Sequence, residues 1–312
     1  MDTRYFCERF NSAICFLPDF IKSYLSFLPE DFKEKVTEIR LRVNKDISFS
    51  INQTQVTLKS VTNNEIIVSR QLLENCFTRL CNFSVYSHQD EINNGFVTLL
   101  GGHRVGICGT VVYADGKIKN IKDISSLNIR VSKEIIGFSK NFLKYSDKGI
   151  LILGPPACGK TTLLRDLVRA KSQEKRISLI DSRGEIAAVK NGVPQNDIGR
   201  FCDVLNMAQK EDGIEIAIRS LNPQIIAFDE ISTIEEAKKV EQGLYAGVNF
   251  FITMHLGQID EIYKKSASKT LLKSGAIKYV ILLSNDRKND KVFRVNNTSS
   301  EIFDLKEVNT NA

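Results

Sequence analysis

Apolar side chains recur at helical spacing in the first 36 residues. They are Phe6, Phe10, Ile14, Leu17, Ile21, Leu25 and Leu28. Intervals of three and four residues place such side chains on one face of a helix, and Pro18 and Pro29 divide the pattern because proline is not accommodated inside a helix. We therefore predict two or three short helices. The apolar stripe either faces a core or docks on a membrane or a partner helix; we favour the core, since amphipathic helices of soluble domains show the same spacing.

Alternating apolar and polar residues replace this pattern further along the chain and predict short strands. The segments are 38–43, 47–51, 96–99 and 109–113, and Asp115-Gly116 marks a hairpin turn after the last of them. Helices followed by short strands predict an α+β domain over residues 1–135.

Beyond a polar connection, short apolar runs alternate with helical stretches. The runs lie at 149–153, 177–180, 224–228, 249–253 and 279–283. Buried strands that alternate with helices are typical of a mostly parallel sheet, so we predict an α/β domain over residues 136–295. The polar residues 296–312 are predicted to form a partly disordered tail.

The length of 312 residues fits two domains. Seven scattered cysteines without a Cys-x-x-Cys pair indicate reduced thiols rather than disulfides or zinc ligands. No run approaches the roughly 20 apolar residues that span a bilayer, and the N-terminus lacks the basic and then apolar layout of a signal peptide. These features predict a cytoplasmic protein without a transmembrane segment.

The net charge of +6 is mild for this length, and basic residues are mostly interleaved with acids. One basic group stands out: Arg165, Arg169, Lys171, Lys175 and Arg176. It falls near the end of a predicted helix, where cations complement the helix dipole. A nucleic-acid patch is the alternative, and we favour the helix.

A phosphate-binding motif follows the apolar run 149–153. It reads Gly154, Pro155, Pro156, Ala157, Cys158, Gly159, Lys160, Thr161 and Thr162. In this P-loop pattern, backbone N–H groups face the phosphates of a nucleotide, Lys160 reaches the β and γ phosphates, and the Thr161 hydroxyl binds Mg²⁺. Strand, loop and helix come in the required order, so we predict a site for ATP and Mg²⁺ at residues 154–162 rather than a glycine-rich turn that binds nothing.

Two carboxylates end the apolar run 224–228. Asp229 is predicted to hold Mg²⁺ through its water shell, and Glu230 to polarise the attacking water. A Glu directly after the Asp is typical of P-loop enzymes that hydrolyse ATP for mechanical work. The predicted fold class is therefore α/β, a P-loop NTPase core of the RecA/AAA type with a mostly parallel sheet, preceded by a smaller α+β domain.

Further candidates lie at the ends of neighbouring strands. Asp181 and Glu185 follow the run 177–180, at the edge where ligands bind in open α/β sheets, and are placed to tune Mg²⁺ or the water. The alternative is a solvated loop with an internal Arg183–Glu185 pair. His255 closes the run after the Asp-Glu pair and is predicted to sense the γ-phosphate, although a lone histidine is usually structural.

Two arginines of the first domain are also candidates. Arg104 and Arg130 lie on segments of strand type ahead of the P-loop. An arginine brought to the γ-phosphate from another domain or subunit stabilises transition-state charge. The alternative is an ordinary arginine on the surface of a strand.

These elements, in this order, resemble the secretion-ATPase superfamily, which drives type II and type IV secretion and pilus retraction. The similarity spans nearly the whole chain, from a small N-terminal domain through a P-loop, an acidic box and an Asp-Glu strand to a His box. Within the superfamily, the chain resembles the stage III sporulation AA family. The segments that carry this resemblance are 38–42, 101–106, 125–130, 181–185 and 218–223.

The resemblance implies a Mg²⁺-dependent ATPase of the mother-cell cytoplasm that forms a homo-oligomer, a ring hexamer. It implies recruitment to the membrane by the membrane proteins of the channel that links mother cell and forespore, and phosphate contacts for Arg104 and Arg130. The chain departs from the family pattern at Ala157-Cys158, where Gly-Val is more common, and at Ser182 and Ser232. A thiol in the loop predicts sensitivity to thiol reagents.

Two other functions are compatible with the sequence. A nucleic-acid-binding ATPase fits the slightly basic charge, but the chain lacks a stripe of aromatic and basic residues, so no stable nucleic-acid complex is expected. A non-hydrolysing switch or scaffold, in which ATP binding alone holds an assembly together, is disfavoured by the intact Glu230.

Overall fold

The structure, a computed structural model, describes residues 3–51, 54–285, 289–297 and 303–308. They form two compact units, which we call the N-terminal and C-terminal units. The N-terminal unit contains the chain up to Lys133 together with Ala188–Gln195, and the C-terminal unit contains Glu134–Ala187 and the chain from Asn196 onward. The excursion of residues 188–195 into the N-terminal unit is absent from the predicted domain division. Within the described ranges, every helix is too short or too polar to cross a bilayer.

Three short helices open the N-terminal unit, in agreement with the apolar spacing. They are α1 (Thr3–Ile14), α2 (Asp19–Ser26) and α3 (Glu30–Lys35). Pro18 and Pro29 directly precede α2 and α3. All the apolar residues of the predicted stripe are buried, so the stripe faces the core. The remaining helices of this unit are α4 (Leu58–Thr62), α5 (Arg70–Leu80) and α6 (Gln89–Asn93).

One antiparallel sheet of six strands completes this unit, in the order β3-β2-β1-β6-β5-β4. The strands are β1 (Val36–Arg42), β2 (Ser48–Ile51), β3 (Thr54–Thr57), β4 (Phe96–Thr98), β5 (Arg104–Ala114) and β6 (Lys117–Arg130). Buried residues such as Ile39 and Ile129 pack into the core. Asp115 and Gly116 both have positive φ, as a two-residue hairpin turn requires.

The C-terminal unit is built on an eight-stranded sheet in the order β14-β13-β12-β7-β11-β10-β8-β9. The strands are β7 (Ile150–Gly154), β8 (Ile177–Asp181), β9 (Cys202–Asn206), β10 (Ile225–Phe228), β11 (Asn249–His255), β12 (Tyr279–Leu282), β13 (Lys291–Asn297) and β14 (Phe303–Val308). The α-helices are α7 (Lys160–Lys171), α8 (Lys210–Ile216), α9 (Ile234–Tyr245) and α10 (Ser266–Lys273). Strands β12 to β9 run parallel, and every residue of β7, β8 and β10 is buried. The predicted mostly parallel sheet is confirmed.

Both edges of this sheet differ from the prediction. Strand β9 pairs parallel with β8, and its partly exposed residues produce no apolar run in the sequence. At the opposite edge, Phe303–Val308 of the predicted tail forms β14 and pairs antiparallel with β13, and the partial disorder of the tail stays a prediction. Burial of Phe303 in the core explains why this segment adds to the sheet. Residues 298–302 and 309–312 of the predicted tail lie outside the described residues.

Candidate functional site

The P-loop carries the chain from β7 into α7 through a backbone that favours glycine. Gly154, Ala157 and Gly159 have φ values of +156°, +62° and +97°. A Cβ on Gly154 would lie 2.5 Å from Cys158 Sγ, so a side chain is excluded there. Ala157 adopts a left-handed conformation that costs an L-residue about 1–2 kcal/mol, which explains why glycine suits this position.

The amides at the start of α7 are available to an anion. The helix begins at Lys160, so Lys160, Thr161 and Thr162 contribute N–H groups of the first turn, which lack partners within a helix. The first turn carries no acidic residue. Such a helix start, together with the preceding loop, is suited to binding phosphate.

The Lys160 ammonium lies against the loop. Nζ donates to the carbonyl oxygens of Gly154 at 2.8 Å and Pro155 at 2.7 Å. Burial lowers the pKa of Lys160, because a charge removed from water is disfavoured. A buried ammonium held by neutral carbonyls is stabilised further by an anionic ligand, as the predicted phosphate contact requires.

The Cys158 side chain is also enclosed by the loop. It is only 6% exposed, and burial raises the pKa of its thiol. The thiolate is the reactive form of cysteine. We therefore expect slow alkylation in this conformation, and the sensitivity of the loop to thiol reagents stays a prediction.

Asp229 lies at the centre of a hydrogen-bonded set that joins the ends of three neighbouring strands. Thr161 Oγ1 donates to Asp229 Oδ2 at 2.8 Å, and Thr253 Oγ1 donates to Asp229 Oδ1. The backbone N–H of Glu230 donates to Thr253 Oγ1 at 2.8 Å. Because β11 lies between β7 and β10, Thr253 connects the P-loop side of the site to the two carboxylates. Thr253 was not predicted as a site residue; its signal is a hydroxyl inside an apolar run.

The oxygen donors at this point fit Mg²⁺. This ion prefers hard oxygen ligands and is usually held by one or two protein side chains together with substrate phosphates. Across the described ranges, no group of three or more His, Cys, Asp or Glu side chains is placed to hold a metal. Thr161 and Asp229 are therefore the residues that would hold Mg²⁺ beside a bound nucleotide, directly or through water.

Two side chains lie beside the Glu230 carboxylate. Arg183 Nη2 lies 2.5 Å from Glu230 Oε2, and His255 Nε2 lies 3.7 Å from Glu230 Oε1. Lys210 Nζ donates to the Glu230 carbonyl oxygen at 2.5 Å, and Glu230 has a φ of +58°. The structure thus brings together Glu230 and His255, as predicted, and adds Arg183 and Lys210, which sequence reasoning did not place here.

Asp181 has a different role from the predicted one. Its carboxylate is buried and accepts three backbone hydrogen bonds, from Glu185 N at 3.0 Å, Ile186 N at 3.0 Å and Ala187 N at 2.8 Å. Burial raises its pKa despite these bonds. Asp181 therefore folds the loop that follows β8, in place of the predicted tuning of Mg²⁺ or water. The role of the Glu185 carboxylate stays a prediction.

Arg104 and Arg130 lie directly opposite each other on β5 and β6. Directly opposed residues of an antiparallel pair project from the same face of the sheet. The Arg104 guanidinium stacks over the Phe96 ring at 3.5 Å from its centroid, and Arg130 is exposed. Both arginines belong to the N-terminal unit, and their phosphate contacts stay predictions.

Most of the basic residues between 165 and 176 form hydrogen bonds or ion pairs within the C-terminal unit. Arg165 donates to the carbonyls of Glu185 and Ile186, Arg169 pairs with Asp166, Lys171 pairs with Asp147, and Arg176 donates to the Asn222 carbonyl. These contacts favour a structural role over the alternative of a nucleic-acid patch.

The chain is similar to known proteins both in sequence and in structure. Residues 18–302 match the family model described as "Sporulation stage III, protein AA". Stage III sporulation protein AA of Bacillus subtilis (strain 168) is 34% identical over 278 residues, which cover 86% of this chain and 89% of that protein. Protein SEEDLING PLASTID DEVELOPMENT 1 of Arabidopsis thaliana is 31% identical over 182 residues, which cover 56% of this chain and 26% of that protein.

Two solved structures share the fold. The Legionella pneumophila ATPase DotB has a TM-score of 0.58 at 15% identity, over 93% of this chain and 80% of DotB. The pilus retraction motor PilT, solved with bound ADP, has a TM-score of 0.57 at 14% identity, over 89% of this chain and 82% of PilT. The predicted fold class and the predicted family resemblance are both confirmed.

Proposed function

We propose that this chain, which belongs to the Sporulation stage III, protein AA family, is a Mg²⁺-dependent ATPase motor. ATP hydrolysis would energise or assemble a membrane channel complex between mother cell and forespore during sporulation. The motor would be a homo-oligomer, a ring hexamer, held at the cytoplasmic side of the membrane by the channel's membrane proteins. The fold shared with DotB and PilT supports nucleotide binding.

One observation carries the proposal: the contacts that join Thr161, Asp229, Thr253 and Glu230 at one edge of the sheet. Neighbouring strands lie about 4.8 Å apart, so β11 places the end of β7, where the P-loop starts, roughly 10 Å from the end of β10, which precedes Asp229 and Glu230. That separation leaves room for a γ-phosphate and a water between them. A nucleotide-binding loop alone would not need a carboxylate fixed at this distance.

Each residue then has a role in the proposed reaction. Lys160 would exchange the Gly154 and Pro155 carbonyls for phosphate oxygens, and Thr161 and Asp229 would hold Mg²⁺. When bound, Mg²⁺ neutralises charge on the β and γ phosphates. Glu230 would orient and deprotonate the attacking water.

The Arg183–Glu230 pair adds a condition to this mechanism. Glu230 Oε2, which lies 2.5 Å from Arg183 Nη2, cannot contact the attacking water while it is paired with the guanidinium. Turnover therefore requires Arg183 to leave Glu230, and His255 is placed to stay with the carboxylate or to contact the γ-phosphate. Glu185 is proposed to act at the same edge of the sheet, and Arg104 and Arg130 to neutralise transition-state charge from the same or a neighbouring subunit.

ATP hydrolysis with Mg²⁺, measured over a range of protein concentrations, tests the proposal. We expect Lys160→Ala to lose ATP binding and Glu230→Gln to bind ATP without turning it over. The matched control is Glu235→Gln, because Glu235 is an exposed carboxylate at the start of α9, and it should leave the rate unchanged. A rate per subunit that rises with protein concentration would support shared sites in a ring.

The alternative functions predict different results. A wild type that binds ATP but hydrolyses none, even with its membrane partners, would replace the motor with a nucleotide switch. Turnover that rises on addition of DNA or RNA would favour the nucleic-acid-dependent ATPase.

A further inference from the structure

We propose that His103 is a positioning residue for Arg104 and Arg130, at a buried junction in the N-terminal unit. We call this set of residues the His103 junction: Arg9, Ser12, Gly101, His103, Ser132 and Gln195. The inference rests on the proposed function, because it concerns the arginines assigned there to transition-state charge.

His103 is fully buried and held in one tautomer. The backbone N–H of Ser132 donates to its Nδ1 at 3.1 Å, and a backbone amide can only donate, so Nδ1 carries no proton. The proton therefore lies on Nε2, which donates to Ser12 Oγ at 2.8 Å. Burial, followed by the charge of Arg9, lowers the pKa of His103 to about 3. The ring is thus a neutral connector between α1 and the end of β6.

Arg9, on α1, contacts both the turn before His103 and the segment after β6. Its Nε donates to the Ser132 carbonyl oxygen at 2.8 Å, and its Nη2 donates to the Gly101 carbonyl oxygen. Gly101 has a φ of +80°, and a Cβ there would lie 3.2 Å from His103 Nε2. The Gly101-Gly102 turn before His103 is therefore closely packed, and a residue with a Cβ at Gly101 would be strained by this φ and would press on the His103 ring.

Gln195 brings a third segment to the junction. Its Oε1 accepts a hydrogen bond from the backbone N–H of Gly101 at 2.8 Å. Gln195 is the last residue of the excursion 188–195 before the chain returns to the C-terminal unit. Lys190, nearer the start of the excursion, is anchored by His88 Nδ1 at 3.1 Å and Glu91 Oε2 at 3.3 Å.

The positions of these contacts along the chain carry the inference. Arg104 directly follows His103, and Arg130 lies two residues before Ser132. Gln195 directly precedes one point where the chain passes to the C-terminal unit, and Ser132 lies one residue before the last residue ahead of another. The His103–Ser132 hydrogen bond therefore closes the end of the β5–β6 pair that carries both arginines, close in sequence to two of the three connections with the C-terminal unit.

A double-mutant cycle on the full-length protein tests this role. His103→Leu removes both ring contacts, and we expect its kcat to fall by up to about 100-fold, since a small displacement of a catalytic group has effects of this size. ATP affinity should stay unchanged, because the P-loop belongs to the other unit. His103→Asn retains an acceptor in the place of Nδ1 and should recover most of the activity. In an Arg104→Ala background, His103→Leu should lower kcat by less than about threefold.

The controls separate positioning from general damage. Cys108→Ser changes an exposed residue on the same strand, β5, and should leave kcat unchanged. If His103→Leu does not fold, Ser12→Ala enters the same cycle, because it removes only the partner of Nε2. If His103→Leu lowers kcat by the same factor in the wild-type and Arg104→Ala backgrounds, the inference is wrong, although the proposed ATPase function still stands. A wild type without turnover would remove the proposed function and, with it, this inference.

Discussion

The buried His103 should make the N-terminal unit sensitive to mild acid. In the folded protein its pKa is about 3, compared with an ordinary value of 6.5. At pH values between these two, the unfolded chain binds a proton at His103 that the folded chain does not bind. The free energy of unfolding therefore decreases as the pH falls. Each pH unit below 6.5 costs about 1.4 kcal/mol, and lowering the pH from 7 to 5 should therefore remove about 2 kcal/mol. This is a large part of the 5–15 kcal/mol that typically stabilises a domain.

Urea unfolding at pH 7 and pH 5, followed by far-UV circular dichroism because the chain has no tryptophan, measures this effect. His103→Asn is the comparison, since an amide does not titrate in this range while every other ionisable group is unchanged. We expect the free energy of unfolding to fall by about 2 kcal/mol more in the wild type than in the variant. An equal fall in both proteins would show that His103 is already protonated, or solvated, in the folded state.

Three further predictions concern the C-terminal unit. Thr253→Val leaves the Glu230 N–H without its acceptor, so we expect the free energy of unfolding, measured by denaturation, to fall by about 1–3 kcal/mol. Steady-state kinetics should show a kcat that is at least about tenfold lower. Unchanged turnover would contradict the role of Thr253. Asp181→Asn weakens the three bonds that fold its loop and should lower Tm, with a cost of about 2 kcal/mol, whereas the exposed control Asp203→Asn should leave Tm unchanged. Ala157→Gly relieves a left-handed backbone and should stabilise the unit by up to about 1 kcal/mol; a lower Tm would contradict this account.

Periodicity and motif spacing predicted much of this fold, because both are local properties. The stripe from Phe6 to Leu28 faces the core as expected, and the apolar runs became the central strands of the parallel sheet. Edge strands were missed because half-exposed residues such as those of β9 leave no apolar run. The excursion 188–195 has no sequence signal, since its anchor Lys190 finds Glu91 and His88 only after folding.

The candidate site shows the same division. The P-loop and the Asp229-Glu230 pair follow from residues that are close in sequence. Arg183, Lys210 and Thr253 meet Glu230 only through the strand order, and no local pattern connects them. Asp181 was recognised as a strand-end carboxylate, but its use by three backbone amides depends on how the next six residues turn back.

The excursion 188–195 also limits how the two units can be recombined. A single cut after Lys133 would leave these residues on the C-terminal fragment. The Lys190 ammonium would then lose its ion pair with Glu91, and the Gly101 N–H would lose its hydrogen bond to Gln195. A chimera between this chain and a relative would therefore need matched exchanges at three points to preserve both units. The N-terminal unit therefore depends on residues 188–195, which lie in the sequence between two segments of the C-terminal unit, and we expect the two units to vary together across the family rather than as independent modules.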